Sequence, residues 1–152
     1  MNDLSQPLFS EPTEDPDHPL LTWSDERLGL GVPVMDGYHH EFLAILSALA
    51  TMPDGVFTTL FTELVRHTHE HFTQEEQLMH ATEFSATHEH IAEHKRVLSD
   101  LESLLGQVKR GRMKMAREFV KNAMPEWFAL HLVTMDSALA AHLKIELNLD
   151  QD

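Results

Sequence analysis

His71-Phe-Thr-Gln-Glu75-Glu-Gln-Leu-Met-His80-Ala-Thr-Glu-Phe-Ser85-Ala-Thr-His88-Glu-His90-Ile-Ala-Glu-His94 is the stretch from which the fold can be read. It pairs His71 with Glu75 and His90 with His94, each pair four residues apart. On an α-helix, residues at i and i+4 share a face and their side chains are neighbours. Each pair therefore offers two metal donors from one helix, and the residues between them read as a turn. Two antiparallel helices aiming donors at one another is the arrangement that follows. A metal site in a helix bundle is the hypothesis against which the rest of the chain is read.

Working outward, the spacing predicts a helix from about Thr58 to Ala81, with Leu60, Phe61, Leu64, Leu78 and Met79 inward. Pro53-Asp54-Gly55 before it is a turn signal. Ser85 is the expected cap of the third helix, which runs to about Val108 and ends near Gly111, with Leu98, Leu101 and Leu105 continuing the face of His94. Upstream, Asp36 is a good N-cap for a helix reaching about Met52. Phe42, Leu43, Leu46, Leu49 and Ala50 make its apolar stripe, and His39 falls in the first turn. Downstream, Met113 to about Leu147 is helical but contains Pro125, where a kink or break is expected. Trp127, Leu130, His131, Met135 and Leu139 form the face beyond it. Four helices with short connections predict an all-α, up-down-up-down four-helix bundle over residues 22–150. The segment Trp23–Met35, with Gly29, Gly31 and Pro33, reads as an extended N-terminal arm packing across it. Residues 1–21, rich in proline and acid, read as a flexible tail with little to bury.

A chain of 152 residues suits one domain with a sizeable core. No apolar run approaches the roughly 18 residues of a membrane span, and no secretory signal is evident, so the cytoplasm is the default location. The absence of cysteine excludes disulfides and thiolate metal sites. A net charge of −14 argues against nucleic acid, whose binding rests on Lys and Arg. The twelve histidines exceed the eleven Lys plus Arg, so histidine is where chemistry should be sought.

His39, His71, Glu75, His90, His94, His131 and Asp136 come from all four helices. Five imidazoles and two carboxylates are too many for one octahedral metal, but two metals bridged by the carboxylates can use them. Imidazole with carboxylate suits iron, zinc, copper or nickel rather than calcium or magnesium. A set so rich in neutral nitrogen disfavours high oxidation states and leans towards binding a small oxidant rather than breaking it down. One spacing fits badly: His131 and Asp136 are five apart, about 140° around a regular helix. Either the bundle axis passes between them, or a π-bulge realigns them.

The matching motifs are Leu30-Gly31-Val32 with Asp36-Gly37-Tyr38-His39, His71-Phe72-Thr73-Gln74-Glu75-Glu76 with Leu78-Met79, His90 with His94, and Trp127-Phe128-Ala129-Leu130-His131 with Asp136. In this order and at these spacings the chain resembles the hemerythrin family, its single-domain bacterial members in particular, over roughly residues 22–145. The resemblance implies a non-haem centre of two Fe ions with an oxo or hydroxo bridge, binding O2 reversibly at one iron. It implies His90, His94 and His131 on one iron, His39 and His71 on the other, and Glu75 and Asp136 bridging them. Leu43, Phe72 and Phe128 are the expected walls of the O2 pocket. The chain departs from the family's pattern at Tyr38, where Gln is usual, at Phe84-Ser85 for Tyr-Pro, and at Phe128, where relatives carry an aliphatic residue. None of these removes a ligand.

Taken singly, each histidine reads as a surface or satisfied core residue. Jointly the metal reading prevails, because burying so many imidazoles without a metal is costly. His67, His69, His80 and His88 read as surface residues, with His67 the best candidate to support a ligand. His18, His40 and His142 read as solvated. The basic cluster Lys109, Arg110, Arg112, Lys114 and Arg117 suits a helix C-terminus and the turn beyond it. O2 storage, delivery or sensing is the leading function, without enzymatic turnover. The alternatives are a di-iron enzyme acting on peroxide or nitric oxide, an iron donor for repair, or a signalling module. The chain is expected to be a monomer or weak oligomer, with the N-terminal tail as the surface for any protein partner.

Overall fold

The computed structural model describes residues 28–149. The expected tail at 1–21, its partner surface, His18 and the first five residues of the N-terminal arm (23–27) lie outside the described residues, and the arm's last three, Pro33–Met35, belong to the first helix instead of being extended. Leu28, at the edge of that arm, has helical rather than extended backbone and is buried in the main core. Among the described residues the chain is helical with no strand, as four rods. The first three are α1 (Pro33–Leu49), α2 (Asp54–Ala81) and α3 (Thr87–Lys109). The fourth rod is continuous but changes winding along its length. It runs as α4 (Lys114–Glu118), a π-turn (Phe119–Ala123), α5 (Met124–His131), a second π-turn (Leu132–Asp136) and α6 (Ser137–Glu146). Short connections make successive rods antiparallel, which is the four-helix bundle expected. No helix among the described residues is long and apolar enough to cross a membrane.

The helix starts differ from the sequence expectation, each for a local reason. α1 begins at Pro33, whose fixed φ and missing N–H suit the first helical position. Asp36 therefore sits inside the first turn instead of capping it. Its carboxylate reaches back to accept from the N–H groups of Leu30 (2.8 Å) and Gly31 (3.1 Å). Gly31 has φ +81, and a Cβ there would meet the Lys144 side chain within 3 Å, so the lead-in is threaded tightly past α6. Pro53-Asp54-Gly55 opens α2 directly, four residues before the expected start, because the Pro53 carbonyl takes the N–H groups of Val56 and Phe57 at 3.0 and 2.9 Å.

α2 ends with Glu83 in the left-handed region (φ 52), Phe84 N–H on Met79 O at 2.9 Å and Glu83 N–H on His80 O at 3.3 Å. This is a Schellman closure without glycine. It displaces the start of α3 to Thr87, so Ser85 is exposed and caps nothing. The end of α3 uses the same closure with Gly111 (φ 83) in the left-handed position.

Pro125 does not break the fourth rod. The π-turn just before it, closed by Met124 N–H on Phe119 O, widens the helix where the pyrrolidine ring would collide with the preceding turn. The winding change also moves the inward face. Phe128, Ala129, Leu132 and Leu139 are buried, while Leu130, expected on that face, is 64% exposed. On α3 the buried apolar positions are Val97, Leu101, Leu104 and Val108, with Leu98 and Leu105 only half-buried.

The apolar interior forms two clusters. The larger is built on Phe42, Phe57, Phe61, Phe128, Leu64, Leu101 and their neighbours. The smaller holds Val32, Met35, Met79, Leu139, Ala140 and Leu143. Each buried Phe or Leu stabilises the fold by about 1.5–3 kcal/mol. On three of the rods a polar residue of interest falls in register between the two clusters: His39 between Met35 and Phe42, Glu75 between Phe72 and Met79, Asp136 between Leu132 and Leu139. Apolar packing thus fixes four backbones on either side of a polar layer.

Candidate metal centre

All seven residues singled out from the sequence are buried, none more than 4% exposed, and all seven meet in that layer. Their donor atoms form two groups. One consists of Glu75, His90, His94, His131 and Asp136, and the other of His39, His71, Glu75 and Asp136, with the donor atoms of each group within 4.8 Å of one another. Both carboxylates belong to both groups, and each divides its oxygens between them. Glu75 Oε1 lies 3.4 Å from His90 Nε2 and 3.2 Å from His94 Nε2, while its Oε2 lies 2.7 Å from His71 Nε2 and 3.6 Å from His39 Nε2. Asp136 Oδ1 lies 3.1 Å from both His90 Nε2 and His131 Nε2, and its Oδ2 lies 3.0 Å from His39 Nε2.

The awkward spacing of His131 and Asp136 is resolved by the second π-turn, which is closed by Ser137 N–H on Leu132 O. An i→i+5 winding brings residues five apart nearly onto one face, so both side chains point inward from the same rod. α2 and α3 need no such device, because His71 with Glu75 and His90 with His94 already sit at four-residue steps.

Proximity here is mostly not hydrogen bonding. Among the described residues, Nε2 of His39, His90, His94 and His131, Oε1 of Glu75 and both oxygens of Asp136 have no hydrogen-bond partner. Only His71 Nε2 with Glu75 Oε2 has that geometry. Buried polar atoms left unpaired are costly and rare. Seven lone-pair donors converging without bonding one another fit a set built around cations.

The electrostatics agree. Burial disfavours the charged form of His39, but Asp136 and Glu75 outweigh it and carry its pKa up to about 10. The same contest takes His90 up to about 9. Burial keeps His71 below its ordinary value despite Glu75. Burial also favours the neutral form of Glu75, yet His71, His39 and His90 hold it well below the usual carboxylate range. Asp136 is pushed up by burial and by Glu75, but His131 and His39 prevail and hold it down. Two ionised carboxylates in an apolar interior demand positive charge, which protons on the imidazoles provide and metal ions can replace.

Aromatic rings pack around the donors. Phe72 lies flat on His94 (3.8 Å between centroids) and tilted against His71 (5.2 Å), so it faces both groups. Trp127 stacks on His131 at 4.6 Å, Tyr38 on His71 at 5.5 Å, and Phe128 stands edge-on to His39 at 5.5 Å. Leu43 is buried in the same cluster as Phe128. His94 Nδ1 donates to Glu76 Oε2 at 3.0 Å, which orients the ring so that Nε2 faces the centre. Sequence spacing gave no sign of Glu76, because it neighbours Glu75 and projects from another side of α2.

The histidines outside the cluster divide. His69, His80 and His88 are exposed, as expected. His67 is 2% exposed, not a surface residue, because the inward stripe of α2 extends one turn beyond His71. His142 is half-buried and donates to Thr82 O at 3.0 Å, so it ties α6 to the end of α2 rather than being solvated. Of the basic cluster, Arg117 bonds Asp54 at 2.5 Å and covers the Phe57 ring at 4.4 Å.

Residues 30–148 match the family described as the hemerythrin HHE cation binding domain. The chain is 33% identical over 125 residues to a bacteriohemerythrin of Ralstonia nicotianae, covering 82% of this chain and 90% of that protein. It is 28% identical over 138 residues to a bacteriohemerythrin of Stenotrophomonas maltophilia, covering 85% of each. In fold it is similar to crystal structures of hemerythrin carrying a leucine-to-tyrosine or a leucine-to-alanine substitution. Each superposes with a TM-score of 0.76 at 20% identity, over 83% of this chain and 98% of the other. Family match, relatives, fold and the buried His/Glu/Asp cluster converge on one assignment: the chain belongs to the hemerythrin family.

Proposed function

We propose that the chain holds two iron ions with an oxo or hydroxo bridge and binds O2 reversibly, for storage, delivery or sensing. The observation that carries this reading is the division of the carboxylates, with one oxygen of Glu75 and one of Asp136 turned to each group of imidazoles. His90, His94 and His131 would hold one iron and His39 and His71 the other. When bound, the irons supply the electrons with which O2 is held and given back.

The chain's own residues set the conditions for reversibility. The His39 and His71 group has one imidazole fewer, so a small ligand has room there. Phe128 and Phe42, stacked at 5.0 Å and buried, keep water from that side. The seven donors include no Cys, Lys or third carboxylate to deliver protons for cleaving an O–O bond. Reduced protein in air should gain a visible charge-transfer band that disappears under argon without added reductant, over repeated cycles. About two irons per chain should be found alongside it.

A second reading, a di-iron enzyme acting on peroxide, is favoured by one observation. The Tyr38 ring stacks on His71, their planes 5° apart, and brings a phenol to the side with fewer imidazoles. Catalytic consumption of peroxide that is lost in Tyr38→Phe would replace the carrier reading with this one.

A further inference from the structure

His67 is a buried titratable side chain that the seven-residue cluster does not use. Its ring lies one turn before His71 on α2, with centroids 6.3 Å apart, and is 2% exposed. Among the described residues neither ring nitrogen has a hydrogen-bond partner. Burial keeps the imidazole below its ordinary pKa, with His71 acting in the same direction and Glu41 against it. The nearest charge from another rod is Glu41 on α1, whose carboxylate is 67% exposed and places Oε2 3.6 Å from His67 Nε2. On α2 itself, Arg66 is engaged by Glu63 and Glu70 and does not compete for Glu41.

A separation of 3.6 Å is too long for a hydrogen bond. It is the spacing of two ligands on one cation: atoms each about 2.1 Å from a metal and roughly 110–120° apart lie about 3.5 Å from each other. One donor of the pair faces solvent, the other is buried, and the next turn inward is His71. We propose that Glu41 and His67 form a divalent-cation station through which ferrous iron passes from solvent to the buried centre. This rests on the proposed iron centre and adds to it a route. Two protein ligands, the remaining positions being water, hold a cation weakly enough to release it inward, where more donors wait.

The matched comparison is His69 with Glu102, also a histidine and a carboxylate, at 3.2 Å but exposed on both sides and leading nowhere. The experiment follows ferrous iron loading into full-length metal-free protein, without oxygen, by stopped-flow and by final iron content. Glu41→Gln and His67→Gln should each slow loading several-fold while final content stays that of the parent. Glu102→Gln should load at the parent rate. Glu41 is exposed, so its substitution tests the station even where His67→Gln disturbs packing. Loading at the parent rate in Glu41→Gln overturns the proposal, as does an equal slowing in Glu102→Gln, which would mean only general attraction by an acidic chain. The final iron content of the parent separately tests the centre, so failure of one is not mistaken for failure of the other.

Discussion

The ring of Phe128 meets the ring of His39 edge-on, their centroids 5.5 Å apart and their planes 79° from parallel. The contact joins the last rod to the first beside the group with fewer imidazoles, and Phe42 backs it at 5.0 Å. A flat apolar ring there presents no hydrogen-bond donor and excludes water by volume.

Shortening that ring should open the site. Phe128→Ala should speed azide binding and autoxidation of the iron-loaded protein, both read optically. Truncating a buried Phe also costs about 3–5 kcal/mol, so Phe128→Leu is the better-folded companion and should shift both rates the same way by less. Unchanged rates in both variants would place the ligand's path elsewhere.

Glu75 touches four imidazoles with two oxygens. Glu75→Ala should therefore lower iron content at both positions, not at one alone, and lower the melting temperature of protein purified with iron, since ligand binding contributes folding free energy. Retention of about one metal per chain with parent-like melting would contradict a carboxylate shared between two ions.

The helical periodicity and the i, i+4 donor pairs were legible in sequence because an α-helix repeats its faces regularly. His71, Glu75, His90 and His94 needed nothing more. For His131 with Asp136 the sequence left a choice between a bundle axis passing between them and a π-bulge, since a local change of winding leaves no periodic signature. The same change hid the exposure of Leu130 and the tolerance of Pro125. Helix starts were missed where the capping group was a backbone carbonyl, as at Pro53, or where the expected cap reached backwards, as Asp36 does. Glu76 and Glu41 matter through spatial partners on other rods, His94 and His67, which spacing along one helix cannot reveal.

Asp36 offers a test of the fold apart from the metal. Its carboxylate accepts two backbone N–H groups of the lead-in, at Leu30 and Gly31. Charge-assisted bonds of this kind are stronger than neutral ones, though here the one from Leu30 is only partly shielded from water and the one from Gly31 is exposed. Asp36→Ala should lower the unfolding free energy by about 2 kcal/mol in denaturant titrations. Iron content should be unchanged, because Asp36 faces the strand of chain before α1 and not the donors. A loss of iron at parent-like stability would reverse that assignment.

Glu76 tests whether orientation of a ligand matters as much as its presence. Its carboxylate takes the Nδ1–H of His94 at 3.0 Å, leaving Nε2 as the lone-pair nitrogen 3.2 Å from Glu75 Oε1. Without that acceptor the ring can take the other tautomer or turn about its bond, and either removes a donor from the three-imidazole group. Glu76 is only half-buried, so its replacement opens no core cavity. Glu76→Ala keeps all seven donors, yet should weaken iron affinity by about 10–100-fold, the usual effect of losing a group that orients a ligand. Competition with a chelator reads this directly: the variant should give up iron at a lower chelator concentration than the parent. Glu76→Gln, whose amide oxygen still accepts from Nδ1–H, should recover much of the difference. Equal retention by parent and Glu76→Ala would mean that Phe72, stacked on the same ring at 3.8 Å, suffices to hold His94 in place.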